Sequence, residues 1–269
     1  MKIKFLIFIV LSASAKLFSQ QKTGWNLVFS DEFDSTSLNY KKWKDSYPWG
    51  RSICSTGEYA YYTPGKNYSF KEGILKMFTR KEDATARAVE YYSDNEILCD
   101  SQPNFRTFHY TSGMLFSQEQ FLYGYFEMRF KLSQGKGLWP AFWLYGADAD
   151  EIDIFEMFGH ELDKVRTNIH YKNECMCNEK IISKKKKTFH KGFNTMAMEW
   201  KPGELIWYLN GDTIRTEKHE FKNPMNIIAG QGVYWAVKIQ NKRKQKKMFP
   251  ATYQVDYIRV YQRMDKSEK

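Results

Sequence analysis

The sequence predicts an all-β protein made of two antiparallel sheets packed face to face, a sandwich or jelly roll, and three observations carry that expectation. Helical periodicity is hard to find anywhere after residue 20. Short runs rich in aromatic and β-branched residues recur between turn residues instead, with no alternation of strand and helix. Finally, Asn210-Gly211 separates the runs Glu204 to Leu209 and Asp212 to Arg215. That dipeptide suits a two-residue hairpin, whose central residues both need positive φ.

In chain order the expected strands are Trp25 to Ser30, Gly73 to Thr79, Thr111 to Ser117, Gly124 to Leu132 and Ala141 to Tyr145. Then follow Asp150 to Phe155, Lys164 to Tyr171, Phe193 to Trp200, Glu204 to Leu209 and Gln254 to Tyr261. Alternation is clearest in the fourth, where Phe126, Met128, Phe130 and Leu132 share one face and Glu127, Arg129 and Lys131 the other. One face packs and the other meets solvent. Aromatic residues make up 17% of the chain, more than a sandwich core needs, which suggests a surface that stacks flat partners such as sugar rings.

At 269 residues the chain is long enough for one large domain with its own core. Residues 1–20 read as a secretory signal peptide: Lys2 and Lys4, the apolar run Phe5 to Leu11, then small and polar residues to Gln20. A membrane-spanning helix needs roughly 20 apolar residues, and this run stops at Ser12. The expected organisation is thus a leader over 1–20, one β domain over 21–264 and a short tail over 265–269. An exported protein with no membrane span is expected, by default a monomer.

Loss of the leader removes three lysines and no acid, lowering the formal charge from +10 to about +7. Much of the excess lies in two runs, Lys184 to Lys187 and Lys242 to Lys247. Solvated loops account for such runs, and a sharper reading is a groove that holds an anionic polymer. Nucleic acid ranks last, because no nucleic-acid-binding signature accompanies the charge. Cys54, Cys99, Cys175 and Cys177 are even in number, permitting disulfides in an oxidising compartment, with three connectivities open. Cys175-Met176-Cys177 is too tight for a zinc or redox pair.

The most informative segment is Asp150-Glu-Ile-Asp-Ile-Phe-Glu-Met-Phe-Gly159, with Glu151, Asp153 and Glu156 on an otherwise apolar strand. On a regular strand Glu151 and Asp153 share a face and Glu156 points to the opposite one. One extra residue near Ile154 or Phe155, a β-bulge, returns Glu156 to their side. Two glutamates so placed would stand roughly 5 to 5.5 Å apart, the separation used by retaining glycosidases. Glu151 would then be the nucleophile, Glu156 the acid/base and Asp153 the assisting group between them. Carboxylates this close cannot all ionise freely, and Glu156 is the one that must keep a proton before attack. The bland alternative, a solvated acidic face, conflicts with the apolar residues interleaved along the strand.

Glu151-Ile-Asp-Ile-Phe-Glu156 resembles the E-x-D-x-x-E signature of glycoside hydrolase family 16 in its bulged, laminarinase-like form. Further resemblance lies in Trp25-Asn-Leu-Val-Phe-Ser-Asp-Glu-Phe33, Gly137-Leu-Trp-Pro-Ala-Phe-Trp-Leu144, Glu199-Trp200, Ile206-Trp-Tyr-Leu-Asn-Gly211 and Val255-Asp-Tyr-Ile-Arg-Val-Tyr-Gln262. The resemblance implies a β-jelly roll with a polysaccharide lying along a concave groove. By position, it makes Trp139 a stacking platform, with Trp143 on the same side, and puts His170 beside the scissile bond. Glu58, Tyr61 and Tyr62 resemble the segment lining the glycone side, a partly buried tyrosine cluster being the alternative. No cofactor is expected for catalysis. A structural calcium is implied at Glu32, Gly73 and Asp256, whose oxygens suit that ion.

Departures bear on the substrate. Tyr110-Thr-Ser is followed by Gly113-Met114 where an arginine is usual, and Gly146-Ala-Asp-Ala-Asp150 replaces the usual lead into the catalytic strand. Asn226-Ile-Ile-Ala-Gly-Gln-Gly232 only approximates the family's N-L-A-x-G-G loop. The expected activity is endo-hydrolysis of β-1,3- or β-1,3-1,4-glucan. Hydrolysis of an algal galactan, sulfated or not, is the rival, and a binding jelly roll without catalysis the third reading.

Overall fold

The protein is described from a computed structural model covering residues 22–53, 57–90, 103–171, 179–183, 189–238 and 242–264. The leader, all four cysteines, the run Lys184 to Lys187 and the tail fall outside the described residues.

Strands follow one another as β1 (Trp25–Asp31), β2 (Trp43–Lys44), β3 (Ala60–Tyr62), β4 (Tyr68–Lys71), β5 (Ile74–Thr79), β6 (Ala84–Arg87) and β7 (Phe105–Phe108). Next come β8 (Tyr110–Ser112), β9 (Met114–Phe121), β10 (Gly124–Lys131), β11 (Leu138–Gly146), β12 (Glu151–Glu156) and β13 (Lys164–His170). The last are β14 (Lys180–Ser183), β15 (Asn194–Lys201), β16 (Glu204–Leu209), β17 (Asp212–Glu217), β18 (Met225–Val233) and β19 (Ala251–Arg263), with a short helix α1 (Lys242–Met248) ahead of β19.

Two sheets contain most of them. Sheet A runs β17-β16-β15-β10-β19-β5-β4, with β1 also paired to β19, and sheet B runs β14-β13-β12-β11-β18-β9-β2. Their facing sides close one core. From sheet A it takes Phe126, Met128, Phe130, Met198, Trp207 and Val260, and from sheet B Phe142, Leu144, Ile152, Phe155 and Ile227, all fully buried. Stacking of Phe130 on Phe155, with ring centroids 4.4 Å apart, locks the sheets together directly beneath β12. The Trp207 indole of β16 donates a 3.1 Å hydrogen bond through the core to the Asp153 carbonyl of β12. The site is thus built on a strand fixed from below.

Asn210 and Gly211 both have positive φ, 51° and 88°, and close a two-residue turn between β16 and β17. The segment Asn226 to Gly232 is a correction. It is not a loop but most of β18, buried along its whole length between β11 and β9. A strand covered on both faces shows no alternation, and its glycines imitate a turn. Gly230 and Gly232 are instead demanded by close neighbours, because a Cβ on Gly232 would lie 2.7 Å from Glu58 Oε1. The second lysine run is likewise not a loop: it forms α1, anchored by buried Gln245, which accepts from Lys81 at 2.6 Å and donates to the Val237 carbonyl at 2.8 Å. The side chains of Arg243, Lys244, Lys246 and Lys247 stay exposed.

Candidate active site

The three carboxylates lie on β12, and the bulge that their spacing demands is present. Across β11, Asp153 pairs with Trp143 and Phe155 with Phe142, leaving Ile154 without a partner. Across β13, Asp153 pairs with Asn168 and Glu156 with Arg166, so that Ile154 and Phe155 together stand opposite Thr167 alone. Ile152, Ile154, Phe155 and Met157 all enter the core, while Glu151, Asp153 and Glu156 are directed to the other side of sheet B. Burial of Ile154 and Phe155 contributes about 1.5–3 kcal/mol each. That outweighs the roughly 0.5–1.5 kcal/mol of a displaced ladder hydrogen bond, so the apolar pair holds the bulge in place.

Electrostatics follows from that crowding. The Glu151 carboxyl is pushed well above its ordinary range, first by burial and then by the charges of Asp153 and Glu156. Glu156 is raised as well, again by burial first and Asp153 second, with Trp139 and Arg166 pulling the other way. Burial and mutual repulsion both favour a proton shared within this pair of glutamates over ionisation of both. His170 sits opposite Glu151 on β13, with Nε2 3.3 Å from Asp153 Oδ2 and 3.8 Å from Glu151 Oε1. The nearby Asp153 raises the imidazole above its ordinary value, against an opposing effect of burial, and Asn168 Nδ2 lies 3.0 Å from the same Nε2. Glu151, Asp153 and His170 are the one group of His, Cys, Asp or Glu among the described residues whose ligand atoms all lie within 4.8 Å of each other.

Trp139 and Trp143 lie on the same side of β11 as the carboxylates, since Ala141 between them pairs with Glu156. Their surroundings differ. The Trp139 indole N–H is buried and favours the charge of Glu156, without closing a hydrogen bond of standard geometry. Trp143 is only 8% exposed and packs among Tyr47, Tyr62, Met114, Phe116 and Ile228, with the Tyr47 ring 6.1 Å away. That packing leaves little of the Trp143 ring open on the carboxylate side of the sheet.

Glu58 and Tyr62 meet in the same buried layer. Tyr62 Oη donates to Glu58 Oε1 at 2.5 Å, Ile53 N–H donates to Oε2 at 3.0 Å, and Tyr47 hydrogen-bonds Tyr62 in turn. Tyr61 turns away to pack on Phe108. Burial pushes Glu58 up from 4.5 to about 7, against the opposing hydrogen bonds. The folded state therefore keeps this proton over a range in which the unfolded chain releases it. Stability from Glu58 is fully present below pH 4.5 and is lost as pH rises through about 7, a difference of about 3 kcal/mol. Glu58→Gln is expected to flatten that slope: urea unfolding at pH 5 and pH 8 should show a larger loss in the wild type than in the variant. Equal losses would contradict the buried, protonated carboxyl.

The sequence reading missed the wall beyond Glu156, formed by Phe158, His160, Arg166, Tyr234 and Trp235. Arg166 lies across from Glu156 on β13, on the same side of sheet B as the carboxylates. Tyr234 and Trp235 follow β18, whose course was itself unrecognised.

The residues expected to hold calcium already have charged partners. Glu32, Gly73 and Asp256 lie near the place where β19 changes neighbour, since it pairs with β1 as far as Ile258 and with β5 from Val255. Both carboxylates are already matched, however. Arg259 grips Glu32 with two hydrogen bonds of 2.8 Å, and Arg129 pairs with Asp256. The arrangement does not fit a resident cation, since binding would release two guanidinium ions. Thermal unfolding midpoints measured with excess calcium and with EDTA should agree within about 2 °C, and a larger stabilisation by calcium would show that the arginines yield.

Comparison with known proteins agrees with this geometry. The description of glycosyl hydrolases family 16 matches residues 65–259, which include β12 and all of its neighbours. A β-glucanase of Rhodothermus marinus is 29% identical over 273 residues, covering 90% of this chain and 87% of that protein. The endo-1,3-1,4-β-glycanase ExsH of Rhizobium meliloti is 29% identical over 228 residues, covering 77% of this chain and 46% of that longer protein. Among solved structures, the catalytic domain of an endo-1,3-β-glucanase (laminarinase) from Thermotoga petrophila superposes with a TM-score of 0.73 at 25% identity, over 90% of this chain and 99% of that one. With its jelly-roll sandwich, its bulged carboxylate strand and a family match over most of its length, the chain belongs to glycosyl hydrolases family 16 and is a glycoside hydrolase.

Proposed function

We propose that the protein is an exported, retaining endo-hydrolase of β-1,3- or β-1,3-1,4-linked glucan. The observation that carries the mechanism is the bulge, which puts Glu151 and Glu156 on one face with Asp153 between them. Glu151 attacks the anomeric carbon while Glu156 gives its proton to the departing oxygen, leaving a covalent glycosyl-enzyme. Glu156, now ionised, then takes a proton from water, and the water displaces Glu151 with a second inversion. Asp153 and His170 hold Glu151 in line and share the charge it carries and loses. Trp139, beside the acid/base, offers a ring to the sugar there.

The choice of glucan draws on the names of the relatives, β-glucanase and endo-1,3-1,4-β-glycanase. Export draws on the leader-like residues 1–20. The test is a panel of laminarin, mixed-linkage glucan, agarose and carrageenan, scored by new reducing ends. Release from the first two supports the reading. Release from agarose or carrageenan alone transfers the activity to a galactan.

A further inference from the structure

On the core side of the catalytic strand lies a buried charge with no part in the chemistry. Arg215, on β17 of sheet A, is 2% exposed, and its guanidinium sits 4.6 Å from the centre of the Trp207 ring. Core positions seldom hold arginine, because a desolvated charge is costly and a hydrophobic residue of similar volume usually gives equal or greater stability. Glu217 answers the charge at 3.0 Å from Nη2, while Nε has no acceptor among the described residues. Packing alone does not account for the residue. Its remaining hydrogen bonds do.

Those bonds converge on the bulge. Arg215 Nη1 donates to the Thr167 carbonyl at 2.9 Å and to Thr167 Oγ1 at 3.1 Å. Thr167 is the residue of β13 that stands alone opposite Ile154 and Phe155. Trp207, the cross-strand neighbour of Arg215, donates to the carbonyl of Asp153, the last residue paired before the register shifts. One stacked pair on sheet A therefore grips both strands of the irregularity from below. Trp207 holds β12 just ahead of the extra residue, and Arg215 holds β13 across from it. Thr167 Oγ1 also lies 3.5 Å from the Lys180 carbonyl, which carries the link on to β14.

The arrangement that this grip opposes is a ladder continuing regularly past Asp153. A slip of one residue turns every later side chain to the other face. Glu151 and Asp153 precede the bulge and would keep their places, whereas Glu156 follows it and would turn toward the core. Resting on the glycosidase reading above, we propose that Arg215 and Trp207 are positioning residues for the acid/base: their hydrogen bonds to the carbonyls of Thr167 and Asp153 hold the bulge, and the bulge keeps Glu156 on the face of Glu151.

Arg215→Met tests this, since it keeps the apolar length of the side chain and removes its donors. Leu75→Ala, a truncation of a fully buried residue on β5 toward the opposite edge of sheet A, controls for lost stability alone. Both are assayed well below their unfolding midpoints. The first readout is kcat/KM on the polymer that the panel shows to be cleaved and on a dinitrophenyl glycoside of the same glycone, whose departure needs no acid. Arg215→Met should lower the polymer value by about 10- to 100-fold and the dinitrophenyl value by less than about threefold, and Leu75→Ala should leave their ratio as in the wild type. The second readout is amide hydrogen exchange at Phe155 and Glu156, which needs no substrate. It should be faster in Arg215→Met by about tenfold or more beyond the change in global stability. Trp207→Phe keeps a ring in the core and loses the donor to Asp153, so it should move both readouts the same way, and it replaces Arg215→Met if that variant does not fold. A polymer-to-dinitrophenyl ratio equal to that of the wild type would overturn the positioning role, as would unchanged exchange at the bulge. If the wild type cleaves no polymer while exchange at the bulge responds to Arg215→Met, the glycosidase reading fails and the support of the bulge stands.

Discussion

Glu151→Gln is expected to lower kcat on the polysaccharide by about 10⁴-fold or more while leaving binding within a few-fold of the wild type. An amide keeps the shape of the carboxylate and its contact with Asp153, but it has no electron pair basic enough to open the sugar's anomeric bond. The loss therefore falls on a bond made only in the transition state, which depresses kcat rather than raising KM. Steady-state kinetics with affinity measured separately on the same polymer distinguishes this from a misfolded groove. Turnover within tenfold of the wild type would assign the nucleophile elsewhere.

Glu156→Gln is expected to cost about 10²- to 10⁴-fold on the polymer, where the departing sugar oxygen is a poor leaving group and needs a proton. The cost should shrink on substrates whose leaving group needs none, such as a dinitrophenyl glycoside. With such a substrate the first step proceeds but no base activates water, so the glycosyl-enzyme accumulates and intact-protein mass rises by one glycone. The pH profile carries the same information. Protonation of Glu151 closes activity on the acid side, and ionisation of Glu156 closes it on the basic side. Because burial raises both groups, the profile is displaced upward from the ordinary carboxylate range of about 4.3. The basic limb should vanish in Glu156→Gln. Equal losses on polymer and dinitrophenyl substrate, with no trapped intermediate, would contradict the acid/base role.

How far the sequence alone specifies the fold and the site depends on whether each feature has a local cause. Alternation in β10 and the Asn210-Gly211 turn are local, and both were readable because their cause is local. The bulge was readable for a sharper reason: acids at 151, 153 and 156 on an apolar strand leave one arrangement in which none is buried in the core. What escaped was set by packing from elsewhere. β18 hides its period because both of its faces are covered, and its glycines answer to Glu58 and Met114, more than 100 residues away in sequence. Trp143 shares a face with Trp139 yet differs in exposure because Tyr47 lies over it. Glu32 and Asp256 stand at the expected places, but the arginines that claim them come from β19 and β10.

Placing the two glutamates on one face as nucleophile and acid/base makes one commitment that a single spectrum can settle. Proton NMR of the anomeric signals, taken within the first few turnovers and before mutarotation, should show the new reducing end appearing in the β configuration, as two successive inversions at one carbon require. Initial appearance of the α anomer would mean a water attacks directly, and Glu151 would then be no nucleophile.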